Sequence, residues 1–124
     1  MNQVIVIALG GAAGSVLRFW MSTGVYNLLG RSFPYGTLAV NVLGSLLMGA
    51  LFVLLVERFS GDGLWRAAIL VGVLGGFTTF SAFSMETFIL IEEGAVLKAL
   101  LNMGASLVLC FGATWAGVVL GRQL

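Results

Sequence analysis

Four long apolar stretches, parted by short polar turns, decide most of what this chain can become. They run over about 4–29, 36–56, 65–91 and 98–120, and as helices each reaches across a hydrocarbon core about 30 Å thick. Lipid offers backbone N–H and C=O groups no partners, so an unbroken apolar run of this length must satisfy them within itself, as a helix does. With 60% hydrophobic and 9% charged residues and a mean hydropathy of +1.10, the chain reads as an all-α integral membrane protein, a single transmembrane domain over 1–124. The stretches are too long and too many for a signal peptide. A net charge of +1 supplies no basic surface for nucleic acid. The lone cysteine, Cys110, lies inside the fourth stretch, which excludes an internal disulfide.

The third stretch carries a flaw. Gly75-Gly76-Phe77-Thr78-Thr79-Phe80-Ser81-Ala82-Phe83-Ser84 is a poor helix interior, because glycine adds backbone entropy and threonine hydroxyls compete for backbone partners. The composition predicts a helix broken between Gly75 and Thr79. In a bilayer such a break is tolerated where its freed groups are buried in protein or line a polar cavity, and its usual use is ion binding. On the resumed helix Phe80 and Phe83 share a face, with Ser84 and Thr87 beside Phe80. Phenyl edges carry partial positive charge and can face an anion. Phe88 and Phe111 lie outside this motif and serve as comparison positions. The competing explanation is that Gly-Gly allows close helix packing while the phenylalanines meet lipid. Glu86, on a face with Thr79 and Phe83, is the one acid well inside an apolar stretch, which marks a polar pathway or a pairing with a base such as Arg18.

In the first stretch Gly10 and Gly14 form a GxxxG step for close packing. Arg18 costs at least about 2.5 kcal/mol inside a membrane unless it faces a vestibule or snorkels. In the second, Thr37, Asn41, Gly44, Ser45 and Met48 fall on one helical face, and the Asn41 amide must either donate to an anion or bond a neighbouring helix. Asn102, Ser106, Cys110 and Thr114 make a similar stripe on the fourth, flanked by Ala113, Gly117 and Gly121. Both stripes suit helix packing, and together they would also line a narrow hydrogen-bonding path. Between the second and third stretches, Glu57 to Gly63 reads as a water-exposed polar turn.

Four spans place Arg58, Arg66 and Arg122 on one side and Arg31 and Lys98 on the other, leaving out Arg18. A margin of one sets orientation only weakly. A chain that inserts both ways can form an antiparallel two-fold dimer.

At Gly36-Thr37-Leu38-Ala39-Val40-Asn41 and through the Gly-Gly-x-Thr-Thr-Phe-Ser-x-Phe-Ser string to Glu86, the chain resembles the Fluc (CrcB-type) fluoride channels of bacteria over essentially its whole length. That resemblance implies a dual-topology antiparallel homodimer in the bacterial inner membrane that conducts fluoride passively out of the cytoplasm through two pores. Phe80 and Phe83 would match the phenylalanines lining the path and Asn41 the pore-lining asparagine. The carbonyls of Gly75 and Thr78 would hold a structural Na⁺ at the dimer interface. Arg18, Thr37, Ser81, Ser84, Glu86 and Ser106 would match further vestibule or polar-track positions. Two departures stand out: Ala82 where many relatives have threonine, and Cys110 where some have serine.

Fluoride is small and strongly hydrated, so a path must replace its water with donors such as Asn41 and hydroxyls while rejecting larger halides by width. With no histidine and most acids in loops, nothing points to catalysis or an organic cofactor. Two other readings stand beside this one. A small proton-coupled multidrug antiporter would need an acid in its first helix, where this chain has Arg18. A non-conducting membrane assembly subunit would use the glycine stripes for packing alone.

Overall fold

The computed structural model describes residues 2–58 and 63–124, so Phe59, Ser60, Gly61 and Asp62 of the expected polar turn lie outside the described residues. Helix α1 is Asn2–Leu29. Helix α2 is Tyr35–Phe52 and opens into wider π-helical turns over Val53–Glu57. Helix α3 begins as Gly63–Arg66, continues as π-helix Ala67–Leu74 and closes in the turn Gly75–Phe77. Helix α4 is Phe80–Glu92 and α5 is Val96–Gln123. Counting α3 and α4 as one broken span, four segments are long and apolar enough to cross a membrane. The chain is a multi-pass membrane protein, with helices one to three residues longer at most ends than hydropathy alone predicts.

The helix ends on one side are set by glycine. Gly30, at φ 86°, donates its N–H to the Tyr26 carbonyl at 2.8 Å and so terminates α1. Gly94, at φ 80°, ends α4, where Gly94 donates to Ile91 and Ala95 to Leu90 at 3.0 and 2.8 Å. This left-handed conformation is open to glycine at no steric cost and lets the chain satisfy the last carbonyls while reversing direction.

Two glycine seams hold the helices together. A Cβ on Gly14 of α1 would lie 3.0 Å from the Phe77 nitrogen, and Gly72 of α3 rests 3.0 Å, on the same measure, from the Gly10 Cα. Along α2 and α5, which run parallel, a Cβ on Gly49 would meet the Val118 nitrogen at 2.9 Å and one on Gly117 the Ala50 nitrogen at 2.8 Å. Association in lipid rests on such close backbone packing, since lipid tails are as apolar as the helices. The core is correspondingly small: Val40, Val53, Ala67, Leu74, Phe77, Leu90 and Ala99 are buried, and most large apolar side chains face outward. At one end Arg122 of α5 pairs with Glu57 at 3.2 Å, closing α5 onto α2.

Candidate functional site

The break falls at Thr78 and Thr79, inside the expected stretch from Gly75 to Thr79 and at its far end. Gly75 keeps helical angles and Gly76 packs against the α1 backbone, a Cβ there lying 2.8 Å from the Gly11 carbonyl oxygen. Thr78 and Thr79 are both extended, at φ −88°, ψ 156° and φ −152°, ψ 119°. Gly76 therefore serves packing, Gly75 stays helical and exposed, and the threonines make the break.

Its polar groups are dealt with one by one. Thr79 donates its N–H to Asn41 Oδ1 at 2.8 Å, and Asn41 Nδ2 donates to the Thr79 carbonyl at 3.0 Å. One backbone donor and one acceptor face the amide, which fixes its orientation. Thr79 Oγ1 accepts from the Ala82 N–H at 3.2 Å and caps α4. Thr78 folds its hydroxyl back to the Leu74 carbonyl at 3.0 Å. Since Thr79 donates to Asn41, the Gly75 carbonyl loses its helical donor. At the other side of the break, the Phe80 and Ser81 N–H groups begin α4 without intrahelical partners, at the positive end of its dipole.

A groove of about 550 Å³ opens beside the break. Its walls are Asn41, Gly44, Ser45 and Met48 from α2, Thr78, Thr79, Phe80 and Phe83 from the break, and Met103, Ser106, Leu107, Cys110, Phe111 and Thr114 from α5. Most of each small-polar stripe, without Thr37 and Asn102, thus meets the two motif phenylalanines at one surface. The rings of Phe80 and Phe83 lie 5.3 Å apart and tilted by 48°, with Phe80 77% exposed.

A second cavity of about 310 Å³ lies at the end of the bundle marked by Arg31 and Lys98. Here Glu86 accepts hydrogen bonds from Tyr26 and from Thr37, whose hydroxyls are 3.4 Å apart. Arg31 stacks its guanidinium 4.6 Å from the Tyr26 ring centre, and Lys98 donates to the Ser32 carbonyl at 3.2 Å.

The expected site residues therefore divide into groups. Asn41, Thr78, Phe80, Phe83 and Ser106 share the groove. Thr37 and Glu86 form the carboxylate cluster at one end. Ser81 lies at the break, its Oγ 3.2 Å from Thr79 Oγ1, and Ser84 is exposed. Gly75 is exposed beside the break. Arg18 is half-buried in α1, lines neither cavity and does not pair with Glu86, which takes two neutral hydroxyl donors instead. Tyr26 is a member of the cluster that neither motif nor stripe marks; its signal in the sequence is a phenol inside an apolar span in need of a partner. Of the two comparison positions, Phe111 lines the groove and Phe88 does not.

Residues 5–118 match the family described as CrcB-like protein, Camphor Resistance (CrcB). The chain is 57% identical over 122 residues to a protein of Methylococcus capsulatus named fluoride-specific ion channel FluC, covering 98% of this chain and 54% of that longer relative. A protein of the same name from Coxiella burnetii is 53% identical, with 98% of this chain and 99% of the relative aligned. Another from Citrifermentans bemidjiense is 47% identical over the full length of both. Matched across all four spans and through the break itself, the chain belongs to the CrcB family.

Proposed function

We infer that this protein is a passive, fluoride-selective channel that lets fluoride leave the bacterial cytoplasm across the inner membrane. The carrying observation is its alignment, nearly end to end, with a relative named as a fluoride-specific channel. Neither the antiporter nor the assembly-subunit reading has comparable support.

The groove supplies the chemistry such a path needs. Asn41 spends one amide N–H on Thr79 and keeps a second for an anion. Phe80 and Phe83 offer ring edges, while Ser106 and the start of α4 add donors and a positive dipole end. Thr37, Glu86, Ser81, Ser84 and Arg18 belong, on this reading, to the approaches at either end. A groove open along one side needs a second wall, and a second copy in antiparallel orientation would provide it.

The donor set at the break suits a monovalent cation. The Gly75 carbonyl has lost its helical donor, the Thr78 carbonyl belongs to an extended residue, and no carboxylate cluster lies among the described residues. Gly75 and Thr78 would hold Na⁺ by these oxygens, and the ion's positive field would favour an anion nearby. The cellular test is growth in fluoride of a bacterium stripped of its own fluoride exporter. Expression of this chain should restore growth, and no gain over an empty vector would contradict the reading.

A further inference from the structure

The polar stripe of α5 divides in the folded chain. Ser106, Cys110 and Thr114 line the groove, but Asn102 does not. It is 1% exposed, and its Nδ2 donates to Thr87 Oγ1 at 2.8 Å. Thr87, itself buried, donates to the Phe83 carbonyl at 2.7 Å, one turn back along α4. A hydroxyl has a single proton. That of Thr87 is committed to Phe83, so the relay runs from Asn102 through Thr87 to Phe83. Among the described residues this is the one side-chain hydrogen bond between α4 and α5.

Helix α4 is thinly held. Phe80, Met85, Phe88, Ile89 and Ile91 are exposed, and its other polar ties are Thr79 to Asn41 at its start and Glu86 to Thr37 and Tyr26. Apolar packing in lipid leaves the rotation of such a helix loosely defined, whereas a directional hydrogen bond restricts it. Side chains reach about 5–6 Å from a helix axis, so a turn of about 10° carries a ring by about 1 Å. The ring at stake is Phe83, which lines the groove against Phe80.

We propose that Asn102 is a positioning residue for the ion path: through Thr87 it sets the rotation of α4 and hence the place of the Phe83 ring in the groove. The proposal rests on the channel reading of that groove.

The test compares wild type, Asn102→Leu, Thr87→Val and the double variant in proteoliposomes, with flux scaled to folded protein. Each also carries para-fluorophenylalanine at position 83, read by fluorine NMR. Fluoride flux should fall about tenfold or more in each single variant, the double variant should fall no further than the worse single, and the resonance should move alike in all three. Thr87→Ser keeps the hydroxyl and should keep both flux and resonance. If Asn102→Leu does not accumulate in the membrane, Asn102→Ser, too short to reach Thr87, carries the same expectation. Wild-type flux through the Asn102 variants, or an unmoved resonance, would overturn the proposal. Absence of flux in wild type would instead contradict the channel reading, and the resonance would still decide the relay.

Discussion

Asn41 and Thr79 bond each other in both directions, side-chain amide to backbone, across the space between α2 and the broken third span. The exchange replaces two helical hydrogen bonds that the break forfeits, and it does so where no water is guaranteed. Gly44, three residues along α2, makes room for it: a Cβ there would run into the Thr78 side chain and sit 3.2 Å from the Phe77 ring.

Asn41→Leu would leave the Thr79 N–H and C=O without partners, at about 1–3 kcal/mol for each unsatisfied group. Thermal unfolding in detergent should show this loss, and fluoride flux should fall with it. Asn41→Asp keeps the acceptor and loses the donor, so its stability should lie between the two. A leucine variant as stable as wild type would mean that the break is satisfied by other means.

Phe80→Ile and Phe83→Ile keep most of the apolar volume and remove the electropositive ring edge. Each should lower fluoride flux by orders of magnitude while the protein still folds. Phe88→Ile is the proper control, because Phe88 is exposed and lies outside the groove. Phe111 lines the groove beside Cys110, so its replacement should affect flux and cannot serve as a control. Near-normal flux through both motif variants would make the rings packing residues.

The glycine seams predict a different kind of damage. Gly49→Ala and Gly117→Ala place a methyl group against the facing backbone and should destabilise by about 1–3 kcal/mol through overpacking. Gly24→Ala meets nothing within 4 Å and should leave the melting temperature nearly unchanged. Equal stability of all three would remove the α2–α5 seam as a source of cohesion.

Much of this was legible in the chain. The spans follow from lipid as solvent, and both stripes follow from helical periodicity because α2 and α5 are regular where the stripes lie. The place of the break was less legible. Gly75 and Gly76 have weak helix preference, yet packing of Gly76 on Gly11 keeps them helical, and the Asn41 amide captures the next residues instead. Periodicity also could not separate Asn102 from Ser106, since what sets Asn102 apart is its buried bond to Thr87 on α4. Tyr26 stayed hidden because its partner Glu86 is 60 residues away along the chain.

Orientation gives a separate test, resting on three basic side chains, Arg58, Arg66 and Arg122, against Arg31 and Lys98. Two lysines added to either loop set should force one orientation and abolish function alone. Co-expression of two oppositely biased variants should restore it. Full activity from one biased variant by itself would contradict an antiparallel dimer.

The central claim is that the groove beside the break carries fluoride downhill without coupling to protons, and an ion-selective electrode on proteoliposomes tests it directly. Purified protein should release internal fluoride with no proton gradient imposed and leave chloride inside. Fluoride release no faster than from protein-free liposomes, or equal release of chloride, would contradict it.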